Sequence, residues 1–448
     1  MKKFILITLL LPSLLNYASQ PEQIDLNQID INQQEIPTSK VAPNGDSIAD
    51  TVVKPKRNLT WLKPIIVDKN NHDYEDLTTI TFEGNVIYKP GLKYPYPSTY
   101  SSYPAAIIIA KDNMTIDFKG YTLSLDPLSA PNFLTNSPVY GIAVYPGVKN
   151  LKIISSSPTN QKGMITGFSD FAIYINGLDH SYNSYDIYSN RVKNVLIDNL
   201  LISQNLNGIY VANALEVTVS NTNVIYNYTA RPFYGIYFLN LLEGIIENCK
   251  INLNSSFSHM YGINLEDTIN VSVQNSQTSF NRSSQTGNAI GMQITGINGY
   301  SSTNQISYCK STENLCASVN GQKSIGFNIS NLSHHNIIEN CTSFLCGQVH
   351  GSGITYGIGF QVDTGENNQI HKNKAGYNDT YGFYDTALIS TSFWTSNTGL
   401  FNTAANYNVI VPTLTGSTPL DAIVVTPDDL SAYLAAGPVL ANVSVELP

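Results

Sequence analysis

The sequence predicts an all-β chain wound as a single-stranded parallel β-solenoid, and three observations predict it. The first is self-similarity at a fixed period. Gly208-Ile209-Tyr210-Val211 returns as Gly235-Ile236-Tyr237-Phe238 and again as Gly262-Ile263-Asn264-Leu265, each time 27 residues on. The second is a partner segment after each copy, at residues 215–221, 242–248 and 269–275, where apolar and polar residues alternate and Asn closes the run. The third is composition. Charged residues are 13% of the chain, against roughly 25% in ordinary globular proteins, while Asn alone supplies 50 of the 448 residues. Chains rich in Asn, Ser, Thr, Gly and Tyr make poor helices. Hydrophobic residues at 42% exclude wholesale disorder. A formal net charge of −9 offers no phosphate-neutralising surface and excludes a nucleic-acid partner.

The first 18 residues read as a signal peptide. Lys2 and Lys3 are followed by a short apolar core and by Ala18 as the small residue before a cut. That core is too short to span a bilayer, and no later run of about 20 apolar residues follows, so the mature chain carries no transmembrane helix. Residues 19–57 are rich in Gln, Asn, Asp, Pro and Ser without an apolar period, and read as a flexible leader.

Residues 58–410 carry the solenoid. Each repeat segment has four or five residues of alternating character, the pattern of a short strand. Weaker copies stand at Gly141, Ala172, Ala289, Gly326, Gly357 and Gly382. Gly and Asn punctuate the segments and supply left-handed backbone at the turns. One unit cannot bury its apolar side alone, but stacked units can, with Ile, Val, Leu and Phe filling a common bore. Helical repeats, at about 33 to 47 residues, would need longer amphipathic runs than any present. Recurring Asn at 205, 227, 254, 281, 314 and 378 predicts side-chain ladders between coils about 4.8 Å apart. An aromatic column just before the Gly (Tyr140, Phe171, Tyr234, Tyr261, Tyr356, Tyr381, with Asn207 and Asn288) predicts ring stacking along the axis. Two longer coils, at 177–193 with Tyr182, Tyr185 and Tyr188 and at 296–322, predict loops that wall a groove. Residues 411–448 leave the pattern and read as a cap on the exposed strand edges, with Asp428 and Asp429 opening a short helix.

With these segments in view, the chain resembles the right-handed parallel β-helix proteins of the pectate-lyase-like superfamily, and within it the carbohydrate-binding and sugar-hydrolase β-helix repeats of exported bacterial proteins. The resemblance rests on the Gly-Ile-Tyr-Val strands, their Asn-closed partners, and an opening segment at 106–123 ending Asn113-Met114-Thr115-Ile116-Asp117-Phe118-Lys119-Gly120-Tyr121-Thr122-Leu123. It implies N- and C-terminal caps, an exported protein and a glycan partner. It does not imply one chemistry, because the fold hosts lyases, hydrolases, epimerases, adhesins and tailspikes. Arg191-Val192-Lys193 matches a polygalacturonase tripeptide without the Asp pair that belongs with it. Tyr381-Gly382-Phe383-Tyr384-Asp385 echoes an epimerase signature that here lacks its Pro-His.

Alternation places Tyr210 outward if Ile209 and Val211 face in. The outward column then runs through Tyr174, Tyr210, Tyr237, Asn264, Gly291, Asn328, Gly359 and Tyr384, beside a second with Leu239, Glu266, Gln293, Ser330 and Gln361. The expected ligand contacts are Tyr174, Tyr210, Tyr237, Asn264, Gln293, Gln361 and Tyr384, aromatic rings for pyranose faces and amides for hydroxyls. The acidic candidates are Glu266, Asp267 and Asp363, with Glu366 near the last. His350 and His371 stand isolated, and no metal cluster, phosphate loop or nucleophile elbow is present. No cofactor is implied. Of five cysteines, Cys309 and Cys341, and likewise Cys316 and Cys346, fall in neighbouring coils within disulfide reach, leaving Cys249 free. The reading that best fits the sparse acids is an exported glycan-binding solenoid without conventional lyase catalysis. The alternatives are a polysaccharide-degrading or -modifying enzyme and a purely structural or adhesin-like solenoid.

Overall fold

The computed structural model describes residues 59–68, 77–89, 104–126, 139–177, 191–316, 321–348, 356–386 and 392–409, all within the unit Ile48–Pro448. The expected signal peptide, leader and cap lie outside these residues, as do Tyr182, Tyr185, Tyr188, His350, Asp428 and Asp429. Among the described residues every regular element is a strand, and the strands stack in parallel ladders as an all-β parallel β-helix.

A middle coil shows the unit. Phe233–Leu239, Leu242–Glu247, Lys250–Asn252 and Ser255–Ser256 form four successive faces before Met260–Glu266 starts the next coil. Each strand pairs with its counterpart one coil on: Ile236 with Ile263, Ile246 with Val273, Ile251 with Thr278, Ser255 with Arg282. The third face is a continuous ladder of 12 strands. The first two faces merge into one sheet because Ala289–Ser302 and Lys323–His334 run unbroken around the corner between them. The fourth face has five strands of two residues each, too short for alternation to reveal in the sequence. The opening segment at 106–123 winds through the first three faces of one coil, as Ala105–Ala110, Thr115–Asp117 and Thr122–Leu125.

The inward residues of the repeats form one core. Ile209, Val211, Ile236, Phe238, Ile263, Leu265, Val219, Val224 and Ile251 are fully buried in the same cluster. Phe327, Phe360 and Phe383 stack down the bore with ring centroids 4.7 and 5.1 Å apart. The repeat glycine marks a close approach. A Cβ on Gly235 would lie 2.4 Å from the Gly262 carbonyl oxygen and 2.6 Å from Ile251 Cγ2, distances that real side chains do not tolerate.

The register corrects the sequence alignment in two coils. Ile263 faces Met292, and Phe327 faces Phe360, so Gly291 and Gly359 hold the repeat-glycine place that had been given to Ala289 and Gly357. The aromatic column accordingly continues from Tyr261 through Ile290, Ile325 and Ile358 to Tyr381, not through Asn288 and Tyr356.

Turns follow the expected chemistry at Asn213, Asn240, Asn221, Asn248 and Asn275, all left-handed. One corner differs: Tyr226, Leu253 and Phe280 are also left-handed, with exposed side chains. The residue after each is a buried ladder asparagine that ties the turn to the next coil. Asn227 Nδ2 donates to Asn254 Oδ1 at 2.9 Å, Asn254 Nδ2 to Asn281 Oδ1 at 2.9 Å, and Asn281 Nδ2 to Asn314 Oδ1 at 2.9 Å.

The expected disulfides are not formed: all five cysteines are free and buried. Cys309 and Cys341 do share a column, but it is a column of ladder acceptors. Cys249 N donates to Ser276 Oγ at 3.1 Å, Cys309 N to Cys341 Sγ at 3.4 Å, and Cys341 N to Asn373 Oδ1 at 2.9 Å. Parallel side chains one coil apart keep their Cβ atoms near the ~4.8 Å strand spacing, wider than the ~3.8 Å typical of a disulfide. Cys316 and Cys346 are not in register. Cys316 faces Gln348, while Cys346 takes the ladder place after Asn314, its N donating to Asn378 Oδ1 at 3.0 Å. Burial pushes the Cys249, Cys316 and Cys346 thiols up to about 12, which leaves little thiolate for oxidation.

Candidate functional site

The first face carries the outward side chains. Tyr174, Tyr210, Tyr237, Asn264, Gln293, Gln361 and Tyr384 stand in one column, with Asn328 between the two glutamines. The sequence alignment put Gln293 and Gln361 in the Glu266 column. A two-residue slip keeps a side chain on its face but moves it one column, which is why alternation did not expose the error. The Glu266 column is instead Ala212, Leu239, Glu266, Thr295, Ser330 and Asp363.

This face has three parts. At one end, tyrosines pack on one another. Tyr140 and Tyr174 have ring centroids 4.5 Å apart, Tyr174 and Tyr210 5.0 Å, Tyr234 and Tyr237 4.5 Å, and Tyr234 and Tyr261 5.1 Å, all near parallel. Ring faces meet within the Tyr140–Tyr174–Tyr210 and Tyr237–Tyr234–Tyr261 stacks, while Tyr210 and Tyr237 join the two stacks edge to face at 5.2 Å. Glu266 is set into this end. Tyr237 Oη donates to Glu266 Oε2 at 2.7 Å, and the Asn264 amide also hydrogen-bonds the carboxylate. Burial pushes the Glu266 carboxyl above the ordinary glutamate range, and the charge of Asp267 adds to the shift. Burial likewise raises Tyr234 to about 12. Asp170, bonded by Asn207 Nδ2 at 3.3 Å, is also raised by burial.

In the middle, the amides Asn264, Gln293, Asn328 and Gln361 are each no more than 9% exposed. The side-chain oxygens of Asn264, Asn328 and Gln361 have no hydrogen-bond partner. These groups are more enclosed than a flat, open strip would make them.

The third part is a cleft of about 1190 Å³ at the corner between the first and second faces. Extra residues after Gly296 bulge out there before pairing resumes at Ser301, and they expose Ile297 and Tyr300. Asp267 anchors the bulge, its carboxylate accepting Ile297 N at 2.7 Å and Asn298 N at 3.1 Å. That occupation gives Asp267 a scaffolding role in place of a free acid. Opposite stand Asp363, which accepts a hydrogen bond from Thr386 Oγ1, and Glu366, with Asn331, His334 and Thr364. Tyr384, stacked on Tyr381 at 4.6 Å, lies near enough to Asp363 to have its phenol raised partly by that charge, after burial and the neighbouring tyrosines.

Glu266 and Asp363 lie in the same column three coils apart, about 14 Å at ~4.8 Å per coil. Glycosidase carboxylates stand roughly 5 to 9.5 Å apart. The other candidates resolve as local structure. Arg191 is buried and donates to the Ala214 and Asn240 carbonyls. His371 Nε2 meets Glu339 Oε2 at 2.8 Å on the second face. Among the described residues no group of three or more His, Cys, Asp or Glu is arranged to hold a metal ion. Sequence reasoning missed Tyr300 and His334; the one available signal was the lengthened coil at 296–322, which marks their place without naming them.

Fold and surface together define a parallel β-helix protein with a polar-aromatic first face and a corner cleft. No protein-family model matches the chain, and no curated protein matches it. Similar solved structures include the tailspike protein of E. coli bacteriophage HK620 in complex with a pentasaccharide, at 10% identity and a TM-score of 0.46 over 76% of this chain. They also include the periplasmic alginate epimerase AlgG, at 11% identity and a TM-score of 0.40 over 80% of this chain and 79% of the epimerase. The chain spans 66% of the tailspike, just under two thirds of its length.

Proposed function

We propose that this protein is an exported glycan-binding β-helix that engages a saccharide along its first face, without two-carboxylate hydrolysis. The observation that carries the reading is the Tyr237–Glu266 hydrogen bond set among stacked tyrosines on the first face. Pre-stacked rings hold their hydroxyls in fixed positions, so little rotamer entropy is lost when sugar hydroxyls bond to them. The separation of about 14 Å between Glu266 and Asp363 argues against paired-acid cleavage by those two residues. The basic-then-apolar start of the chain supports export.

A glycan array followed by calorimetry tests this reading. Tyr210→Ala and Tyr237→Ala should each weaken binding about tenfold, the equivalent of ~1.4 kcal/mol. Reducing-end and unsaturated-product assays on the bound polymer should stay blank. The competing reading, a polysaccharide-modifying enzyme, draws on one observation: burial raises the Glu266 carboxyl above the ordinary glutamate range, the direction a general acid requires. Turnover by the wild type that disappears in Glu266→Gln would establish that reading in place of ours.

A further inference from the structure

The corner cleft differs in chemistry from the tyrosine end. Its walls carry two carboxylates, Asp363 and Glu366, and neither Lys nor Arg. Tyr300 stands beside them, 62% exposed. His334 packs edge-on against that ring, with centroids 5.0 Å apart, and its Nδ1 is shut off from solvent with no partner. The lining crosses four successive coils, marked by Gly296, Asn331, Thr364 and Thr386. Three rises of ~4.8 Å give about 14 Å. One rise is close to the length of one hexose unit, so an extended saccharide laid across the coils meets an amide or hydroxyl side chain at each step after the first.

We propose that this cleft is a binding subsite for a cationic saccharide, an oligomer of hexosamines whose amino groups are free. The proposal rests on the glycan reading above and names the sugar class. An ammonium group placed here is drawn by both carboxylates and, where it meets the Tyr300 ring face, by that ring's quadrupole. An N-acetylated or neutral sugar loses both attractions. A uronate chain meets like charge in the cleft and on a chain whose net charge is −9. Hydroxyl and amide side chains on the coil of the acids and on the coils either side of it, Asn331, Thr364 and Thr386, favour a sugar backbone over a basic peptide, whose spacing does not repeat with the coil.

Calorimetry at low salt on the full chain tests the proposal with three hexamers: glucosamine, N-acetylglucosamine and glucose in the same β-1,4 linkage. The glucosamine hexamer should bind at least tenfold tighter than the other two. That preference should fall to within about threefold in Asp363→Asn/Glu366→Gln, and Tyr300→Ala should weaken the glucosamine hexamer most. If the double variant melts early, Glu366→Gln alone serves, since its side chain is exposed. Equal binding of all three hexamers would overturn the charge preference and leave the glycan reading standing. So would a preference that survives loss of both carboxylates, or hexalysine binding as tightly as the glucosamine hexamer. Binding by none of the hexamers, nor by any glycan on an array, would remove the glycan reading as well.

Discussion

Asn254 shows how much one buried side chain does in this fold. Its Nδ2 donates to the Val224 carbonyl at 3.0 Å and to Asn281 Oδ1 at 2.9 Å, while its Oδ1 accepts from Asn227 N at 3.0 Å and Asn227 Nδ2 at 2.9 Å. Asn254→Ala leaves an amide and a carbonyl unmatched in the core, at about 1–3 kcal/mol each. Denaturant titration should therefore show a loss of ~3 kcal/mol or more. Asn150 joins an exposed ladder, donating to Asn113 Oδ1 at 2.8 Å with left-handed backbone. Glycine keeps that conformation and water replaces the bond, so Asn150→Gly should change stability by no more than about 0.5 kcal/mol. Glu266 makes a pH-dependent contribution of definite sign. Its folded-state pKa is raised, so above the ordinary glutamate value the folded protein binds more proton than the unfolded chain. Stability then declines as pH rises from that value through the raised one. Melting temperatures across that window should fall more steeply in the wild type than in Glu266→Gln; parallel curves would rule the effect out.

At the scale of the strand, the repeat glycine sets how closely coils approach. Gly235→Ala puts a methyl 2.4 Å from the Gly262 carbonyl oxygen, and backbone cannot swing aside as a flexible side chain would. The expected cost is about 3 kcal/mol, at the upper end for overpacking, read as a shift of the denaturation midpoint at unchanged slope. The same glycine explains what was legible in the sequence. Between Gly208 and Gly262 the spacing is constant, and the inward Ile, Val and Phe were placed correctly from alternation alone. At Ala289 and Gly357 the strand was recognised but its register slipped by two, because an even slip preserves every in-or-out assignment. The slip moved Gln293 and Gln361 to the wrong column and hid their place in line with Asn264. The cleft was less legible still. Tyr300 and His334 meet only because a bulge at one coil reaches the next, and distances between coils are not written in spacing along the chain.

At the scale of the whole solenoid, each coil touches chiefly the coils on either side, so stability is a chain of nearest-neighbour terms. Damage should then spread locally before it spreads globally. Phe360 is the informative position: its ring lies between Phe327 and Phe383 at 4.7 and 5.1 Å and is almost fully buried. Phe360→Ala removes both stacks and opens a cavity in the bore, at about 3–5 kcal/mol. In a globular core that loss would lower protection everywhere. In a stacked array it should uncouple the coils from Tyr356–Val362 onward, while those around Asn207–Ala212 and Phe233–Leu239 keep their own contacts. Hydrogen exchange measured by region can separate the two cases. Amides in Tyr356–Val362, Tyr381–Asp385 and Thr398–Leu400 should exchange faster in the variant, with those in Ala214–Ser220 and Leu242–Glu247 unchanged. A uniform rise across all five strands would mean that the coils unfold as one cooperative unit. The tyrosine end lies on the protected side of Phe360 and the corner cleft lies next to it. Phe360→Ala should therefore weaken binding at the cleft while leaving the Tyr237–Glu266 site intact.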